Sequence, residues 1–217
     1  EIKEVYCLYP VNLILDNKSC VVIGGGDVAC RKIKGLIAAK AKVTVVSPEL
    51  NEELLKMQND GQFTWLKRVY KNGDIKGYAL AICATDDERI NKAAAAEANR
   101  EKILINVVDR LRLCDFAMPA VIRRGDLLIT SSTNGKSPAM AREIRRELEK
   151  FIDKGYAPFI EKMSVLRQEA MGVIPTFRER EDFWREVLNE NILKLIREGK
   201  VKEAEDKIHN AISSFRA

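Results

Sequence analysis

The sequence predicts an α/β fold with a parallel-sheet domain, a small α+β segment and an all-helical C-terminal domain. In the first half of the chain, short apolar runs alternate with helical stretches, as in strands joined by crossover helices. After Asp109 the pattern changes to two β-type runs, and from Phe151 onward helices broken near Gly172 and Gly199 are expected. The predicted domains are therefore residues 1–112, 113–150 and 151–217.

Five strands and three helices are predicted in the first domain. Each strand is a short apolar or β-branched run bounded by turn residues, and the third strand is more polar than the others. The strands are residues 19–23, 42–46, 63–68, 79–84 and 103–107, and the helices are residues 27–39, 51–59 and 87–100. Thr85 or Asp86 is the expected cap of the last helix, since a short side-chain oxygen accepts from free backbone N–H groups.

The second domain is predicted to contain an antiparallel hairpin followed by a helix. Residues 116–122 and 126–132 are β-type runs, and the turn Arg123-Arg124-Gly125 joins them. A helix is expected from Ser137-Pro138 to about Ile152, because proline tolerates the first turn, where its missing N–H would have no partner.

The composition is that of a folded protein with an excess of positive charge. Hydrophobic residues make up 46% of the chain, charged residues make up 32%, and the formal net charge is +5. No stretch approaches the roughly 18 apolar residues of a membrane span, and the first residues lack the order of a signal peptide. We therefore expect a cytoplasmic protein. The charge favours an anionic partner, without choosing between nucleic acid, an acidic membrane surface and a polycarboxylate small molecule.

The cysteines and the single histidine limit the chemistry. The five cysteines include no CxxC pair, and Cys20 and Cys83 lie in apolar runs that are typical of buried structural thiols. One histidine, His209, cannot build a histidine-based metal centre or a catalytic triad within one chain. No metal-binding residue is assigned.

A glycine-rich turn follows the first strand and precedes the first helix. Residues 24–29, GGGDVA, form a GxGxxA fingerprint in the context of a Rossmann-type dinucleotide-binding domain. Gly24 permits the tight turn, Gly26 lets the backbone approach a pyrophosphate, and Ala29 allows close helix–strand packing. The alternative is a turn that only packs a helix onto a sheet. The predicted cofactor-binding residues here are Gly24, Gly25, Gly26, Asp27 and Val28.

Further cofactor contacts are expected where the second and fourth strands end. Ser47 and Pro48 occupy the position of the usual acidic residue; Ser47 can donate to a ribose hydroxyl, and Glu49 lies two residues on. No arginine follows directly to attract a 2′-phosphate, so NAD is preferred over NADP. Thr85 is expected to face the dinucleotide, with simple helix capping as the alternative.

The order of several motifs resembles a known family. The chain contains YPVNLIL, VVIGGGDVACRK, VTVVSPEL, ATDD, NVVD, LCDFAMPAVIRRGDLLI and NGKSPAMAREIRRELE. This order is similar to the precorrin-2 dehydrogenase/sirohydrochlorin ferrochelatase family, which includes the N-terminal module of bifunctional siroheme synthases. The resemblance is dense from Tyr9 to Lys150 and loose in the helical tail. It implies NAD-dependent oxidation of precorrin-2, a central segment that builds a homodimer, and a helical domain over the active-site cleft.

The resemblance also implies the catalytic group. Asp109 in the NVVD motif would be the general base and the candidate for assisting metal insertion, and Asn106 would hold the cofactor or substrate. A carboxylate base works best when burial raises its pKa. Members often carry a second acid after the aspartate, but Arg110 stands here and would favour the ionised carboxylate. Capping of a turn is the alternative role of Asp109.

Basic residues in and beside the hairpin are candidates for binding the tetrapyrrole carboxylates. They are Arg123, Arg124, Lys136, Arg142, Arg145 and Arg146. Ser132 and Thr133 precede the turn Asn134-Gly135 and are expected near the same rim. The predicted substrate-binding residues are Arg124, Ser132, Thr133 and Lys136, although a solvated basic face is the alternative.

Two other functions stay open at this point. The first adds ferrochelation of sirohydrochlorin, with ferrous iron as a substrate. The second is a non-catalytic, NAD-sensing regulatory module that binds nucleic acid through its tail. The tail opposes this second function because acidic residues are interspersed with its basic ones, and no clean recognition helix emerges. We therefore predict neither a nucleic-acid partner nor a membrane partner.

Overall fold

A computed structural model describes residues 7–152 and 155–215 of the chain. The chain forms two compact units that divide between Met118 and Pro119. Each unit has its own hydrophobic core. The finer division into residues 1–112, 113–150 and 151–217 stays a prediction.

The first unit contains a parallel sheet with connecting helices, which confirms the predicted Rossmann-type fold. Its strands are β1 (Ser19–Ile23), β2 (Lys42–Ser47), β3 (Thr64–Lys67), β4 (Leu80–Cys83) and β5 (Leu104–Val107). Its helices are α1 (Asp27–Ala38), α2 (Glu52–Asn59) and α3 (Glu88–Glu101). The strand order is β3-β2-β1-β4-β5, with every neighbouring pair parallel. The chain order reverses between β1 and β4, which is where ligands bind in such sheets.

Both faces of this sheet are covered. In β1, Cys20 and Val22 pack in one core with Ile33 of α1, whereas Val21 packs in the other core with Ala98 of α3. A strand that is buried on both faces consists of consecutive apolar residues. This pattern allowed these strands to be predicted from the sequence. The burial of Cys20 and Cys83 is confirmed, and both are free thiols.

A buried carboxylate ties the segment between β3 and β4 to α3. Glu97 is 1% exposed, and it accepts hydrogen bonds from the Tyr70 hydroxyl and from the backbone N–H of Ile75, the latter at 2.8 Å. Burial, followed by the hydrogen bond to Glu97, raises the pKa of Tyr70, so the phenol remains a donor. Glu97 therefore acts as a structural acceptor for two separate parts of the chain.

We expect Glu97→Ala to lower the free energy of unfolding by about 3 kcal/mol, because it leaves two donors without their acceptor. Asn99→Ala changes an exposed position of the same helix and should stay within about 0.5 kcal/mol of the wild type. Urea denaturation followed by circular dichroism measures both. Equal stability of the two variants would contradict the structural role of Glu97.

The second unit contains the predicted hairpin and five helices among its described residues. The elements are β6 (Ala120–Arg124), β7 (Leu127–Ser131), α4 (Pro138–Phe151), α5 (Tyr156–Val173), α6 (Phe177–Val187), α7 (Glu190–Arg197) and α8 (Val201–Ser214). The β6–β7 pairing is antiparallel. Ser137 caps α4, with Pro138 in its first turn as predicted. Phe159, Ile196 and Ile208 are buried together in the core of the last four helices.

Three local predictions were wrong. The turn Arg123-Arg124-Gly125 was expected to join the hairpin strands, but both arginines lie in β6 and pair with Leu128 and Leu127, so the turn consists of Gly125 and Asp126. Asp87, rather than Thr85 or Asp86, caps α3, and its carboxylate accepts from the N–H groups of Arg89 and Ile90. The first hairpin strand was expected from residue 116 but begins at Ala120. The residues just before it are bonded to β5 instead.

Among the helices of residues 7–152 and 155–215, none combines the length and the apolar composition of a membrane-spanning segment.

Candidate active site at the carboxyl edge of the sheet

The glycine turn between β1 and α1 is the first part of the site. Gly24 has φ +123°, and a Cβ there would lie 2.2 Å from the carbonyl oxygen of Ala84. A Cβ on Gly25 would lie 2.0 Å from the carbonyl oxygen of Glu49. A Cβ on Gly26 would have no neighbour within 4 Å. The protein itself therefore requires the first two glycines, whereas the third leaves open space in front of the helix.

Two backbone donors at the start of α1 have no backbone acceptor among the described residues. The N–H groups of Gly25 and Gly26 donate to no backbone acceptor within the described ranges. Gly26 is the N-cap and supplies no side-chain cap. Asp27 follows in the first turn, and its carboxylate accepts from the Asn51 amide at 2.8 Å. Free N–H groups at a helix N-terminus form an anion-binding site of the kind that holds a pyrophosphate.

The residues after β2 and β4 are partly engaged by the protein itself. Ser47 is buried, and its hydroxyl donates to the carbonyl oxygen of Glu49 at 2.6 Å, so its proton is not free for a ribose. Pro48 and Glu49 are exposed beside it. The Thr85 hydroxyl accepts from the N–H of Asp87 at 3.2 Å. Cofactor contact by Ser47, Pro48 and Thr85 stays a prediction.

Asn106 lies in β5 and is only 8% exposed. Its side-chain amide donates to the carbonyl oxygen of Phe116 at 2.9 Å. Its side-chain oxygen has no hydrogen-bond donor in the part of the chain that the structure describes. No buried side-chain N or O atom of the described residues lacks a partner, so this oxygen is reached by solvent and is open to a hydrogen bond from a ligand.

The loop after β5 is held against the strand by several bonds. The backbone N–H of Asp115 donates to the carbonyl oxygen of Ile105 at 2.9 Å, and the Asp115 carboxylate accepts from the Ile105 N–H at the same distance. The Cys114 sulfur lies 3.1 Å from the backbone N of Val107. These bonds hold both ends of the loop that carries Asp109 against β5.

Asp109 stands at the carboxyl end of β5 and is exposed. Its backbone is left-handed, with φ +59°, a conformation that aspartate and asparagine tolerate better than most residues. The guanidinium group of Arg110 donates to the backbone carbonyl of Asp109 at 3.2 Å rather than to its carboxylate. The carboxylate is therefore available to a substrate, and its predicted role as the base stays a prediction.

Lys32 is a half-buried member of this site that the sequence motifs did not reveal. It lies in α1, and its ammonium nitrogen is 3.0 Å from the sulfur of Met118. Burial lowers the pKa of Lys32 and the charge of Arg31 lowers it further, whereas Asp109 and Cys114 raise it. The available signal was its spacing, since Lys32 follows Val28 by four residues and shares its helix face.

The predicted substrate-binding residues belong to the second unit. Arg124 lies in β6, and its guanidinium group is 3.5 Å from the Glu149 carboxylate. The Thr133 hydroxyl bonds to the backbone of Ser137, and the Ser132 hydroxyl accepts from Asn134. Lys136 is exposed. Substrate contact by Arg124, Ser132, Thr133 and Lys136 stays a prediction.

The parallel sheet thus brings most of the predicted cofactor residues to one edge. The turn 24–28, Ser47, Thr85 and Asp109 all follow or end strands whose carboxyl ends meet there. Among the described residues, no group of three His, Cys, Asp or Glu side chains is placed to hold a metal ion.

Three family models match consecutive parts of the chain. Residues 11–120 match the model described as "Putative NAD(P)-binding". Residues 124–150 match "Sirohaem biosynthesis protein central", and residues 155–212 match "Sirohaem synthase dimerisation region". The family model that describes a dimerisation region therefore matches residues 155–212. The sequence motifs predicted that residues 113–150 build the dimer, and this stays a prediction.

Curated relatives and a solved structure are similar to most of the chain. Siroheme synthase of Methylococcus capsulatus is 35% identical over 196 residues, which are 90% of this chain and 41% of that protein. Siroheme synthase of Pseudomonas paraeruginosa is 36% identical over 191 residues, 88% of this chain and 41% of that protein. The chain spans about two fifths of the length of these relatives. The structure of SirC, precorrin-2 dehydrogenase, superposes with a TM-score of 0.74 at 25% identity and covers 94% of this chain and 100% of that one.

Proposed function

The chain belongs to the NAD(P)-binding family that its residues 11–120 match, and from this premise we propose that it oxidises precorrin-2 to sirohydrochlorin with NAD in siroheme biosynthesis. The observation that carries the proposal is one edge of the parallel sheet. There an open turn at Gly26 with free backbone donors shares the edge with the unengaged carboxylate of Asp109. The similarity to siroheme synthases and to a precorrin-2 dehydrogenase supports the choice of substrate.

The residues at the edge fit a dinucleotide. The N–H groups of Gly25 and Gly26 would bind the pyrophosphate, in the space that a Cβ on Gly26 would fill. The Ser47 hydroxyl already donates to the backbone carbonyl of Glu49 and cannot donate to a ribose. We therefore assign the ribose hydroxyls to the exposed carboxylate of Glu49 as their acceptor. A carboxylate there would repel a 2′-phosphate, which favours NAD over NADP.

The oxidation removes two hydrogens from precorrin-2. When bound, NAD supplies the acceptor for one of them, which leaves a ring carbon as a hydride and gives NADH. The other leaves as a proton, and we assign its acceptance to a carboxylate oxygen of Asp109. The side-chain oxygen of Asn106 is free to accept a hydrogen bond that orients the cofactor or the substrate. Arg124, Ser132, Thr133 and Lys136 remain the proposed contacts for the substrate carboxylates.

An anaerobic assay of the purified chain with precorrin-2 and NAD tests this function. We expect NADH and sirohydrochlorin to form in equal amounts. NAD binding without NADH formation would instead favour the regulatory module, and a salt-dependent DNA-binding assay would test it further. A separate assay with sirohydrochlorin and ferrous or cobaltous ion tests whether the chain inserts the metal ion into the tetrapyrrole.

An exposed apolar face on α4 supports the homodimer. Met140, Ile144, Leu148 and Phe151 are exposed, and their spacing places them along one side of the helix. Ala141, by contrast, is buried. A continuous exposed apolar face is typical of a protein interface. The match of residues 155–212 to a dimerisation region independently supports association with a second copy.

We expect Ile144→Glu to convert the dimer to a monomer, because it places a charge within this apolar face. Arg142→Gln changes the charge by the same amount on the opposite side of α4 and should leave the dimer intact. Sedimentation equilibrium measures the mass of each variant. A dimer that survives Ile144→Glu and dissociates on Phe177→Glu, an exposed position of α6, would place the interface in the later helices.

A further inference from the structure

Asn51 connects the loop between β2 and α2 to the glycine turn. Its backbone N–H donates to the carbonyl oxygen of Gly25 at 2.9 Å, and its side-chain amide donates to the carboxylate of Asp27 at 2.8 Å. The carbonyl oxygen of Glu49 approaches Gly25 so closely that it would lie 2.0 Å from a Cβ there. These contacts hold the segment that carries Glu49 directly against the turn in front of α1.

Both polar atoms of the half-buried Asn51 side chain form hydrogen bonds. The oxygen accepts from the backbone N–H of Leu54 at 2.9 Å and caps α2, while the nitrogen donates to Asp27. Aspartate and serine cap helices about as well as asparagine does. Aspartate, however, has no proton to donate, and the serine hydroxyl ends one bond nearer the backbone than the amide nitrogen. Capping of α2 alone therefore does not require an amide at this position.

The connection made by Asn51 joins two parts of the proposed cofactor site. The exposed carboxylate of Glu49 is the proposed acceptor for the ribose hydroxyls, and the backbone N–H groups of Gly25 and Gly26 are the proposed donors to the pyrophosphate. A bound dinucleotide would contact both parts at once. A loop that is already fixed against the turn loses less conformational freedom when the cofactor binds, which favours affinity.

We propose that Asn51 is a positioning residue that sets the preference for NAD, because its amide holds the loop of Glu49 against the glycine turn through Asp27. This inference rests on the proposed function. It assigns no contact between Asn51 and the cofactor. It therefore differs from cofactor binding by Asn51, in which the amide itself would donate to the dinucleotide.

Asn51→Ser keeps a cap on α2 and removes the donor to Asp27. Calorimetric titration should show the Kd for NAD rising by about tenfold, the scale of one hydrogen bond to a charged group. The Kd for NADP should rise by less than about threefold, since a 2′-phosphate gains nothing from the carboxylate of Glu49. The preference for NAD should therefore shrink. The thermal midpoint should stay within about 3 °C of the wild type, because serine caps the helix too.

The same substitution in an Asp27→Ala background separates the connection from a direct contact with the cofactor. The amide has no carboxylate to hold in that background, so Asn51→Ser should change the Kd for NAD by less than about twofold there. Asn189→Ser is the matched control, because Asn189 also caps a helix, α7, through its side-chain oxygen. It should leave the Kd values for both nucleotides unchanged.

Three outcomes overturn the role of Asn51. They are an unchanged Kd for NAD in Asn51→Ser, an equal rise for NAD and NADP, and the same rise in the Asp27→Ala background. Any of these, with normal NAD binding by the wild type, leaves the proposed function standing. A wild-type chain that binds neither nucleotide overturns the proposed function, and the role of Asn51 with it.

Discussion

Asp109→Asn should remove most of the oxidation of precorrin-2 while the chain still folds and binds NAD. An amide cannot accept the proton, and we expect kcat to fall on the order of 100- to 10,000-fold, as for loss of a general base. Asparagine tolerates the left-handed backbone that Asp109 adopts, so the loop should keep its conformation. NADH formation under anaerobic conditions measures the loss, and calorimetric titration measures the NAD affinity.

The matched control for this variant is Asp60→Asn, which removes a carboxylate from the end of α2. It should oxidise precorrin-2 at the wild-type rate. Near-normal turnover by Asp109→Asn would show that water or another side chain takes the proton. Loss of NAD affinity in the same variant would mean that Asp109 serves the cofactor instead.

Gly26→Val should strongly weaken cofactor binding and leave the fold intact. The open space in front of Gly26 means that the protein itself can accommodate a side chain there, and the extended backbone at this N-cap suits a β-branched residue. The same side chain would occupy the space of the pyrophosphate. We expect NAD to bind on the order of 100-fold more weakly, which corresponds to about 2.7 kcal/mol.

Two other glycine variants separate binding from folding. Gly35→Ala adds a Cβ in the middle of α1 without meeting any neighbour, and it should raise stability by up to about 1 kcal/mol with unchanged NAD affinity. Gly24→Ala should instead destabilise the domain, because its Cβ would lie against Ala84 and its φ of +123° is unfavourable for alanine. Wild-type NAD affinity in Gly26→Val would place the dinucleotide elsewhere.

The sheet and the cofactor turn could be predicted because their signals are local. The strands are short apolar runs between turn residues, and the glycines fall directly after the first of them. The structure explains the first two glycines by close approaches of Ala84 and Glu49. The sequence predicted Gly24 for the tight turn and Gly26 for the approach of a ligand, but it could not show that the carbonyl oxygen of Glu49 also requires a glycine at position 25.

The parts that were missed depend on contacts between distant residues. Lys32 contacts Met118, which is 86 positions away in the chain. The spacing of residues within α1 could therefore indicate only the face of the helix on which Lys32 lies. Strand β6 starts later than predicted because Asp115 and Phe116 form hydrogen bonds with β5 instead. Strand propensity does not predict such tertiary contacts. The predicted cap of α3, Thr85 or Asp86, lay one or two residues before the observed Asp87, because all three are suitable capping types.

The most direct measurement is a crystal structure of the chain soaked with NAD. We predict pyrophosphate oxygens within hydrogen-bonding distance of the backbone N–H groups of Gly25 and Gly26, and a nicotinamide ring next to Asp109. A glycine turn that stays empty at saturating NAD, or a nicotinamide that lies away from the end of β5, would contradict this assignment of the site.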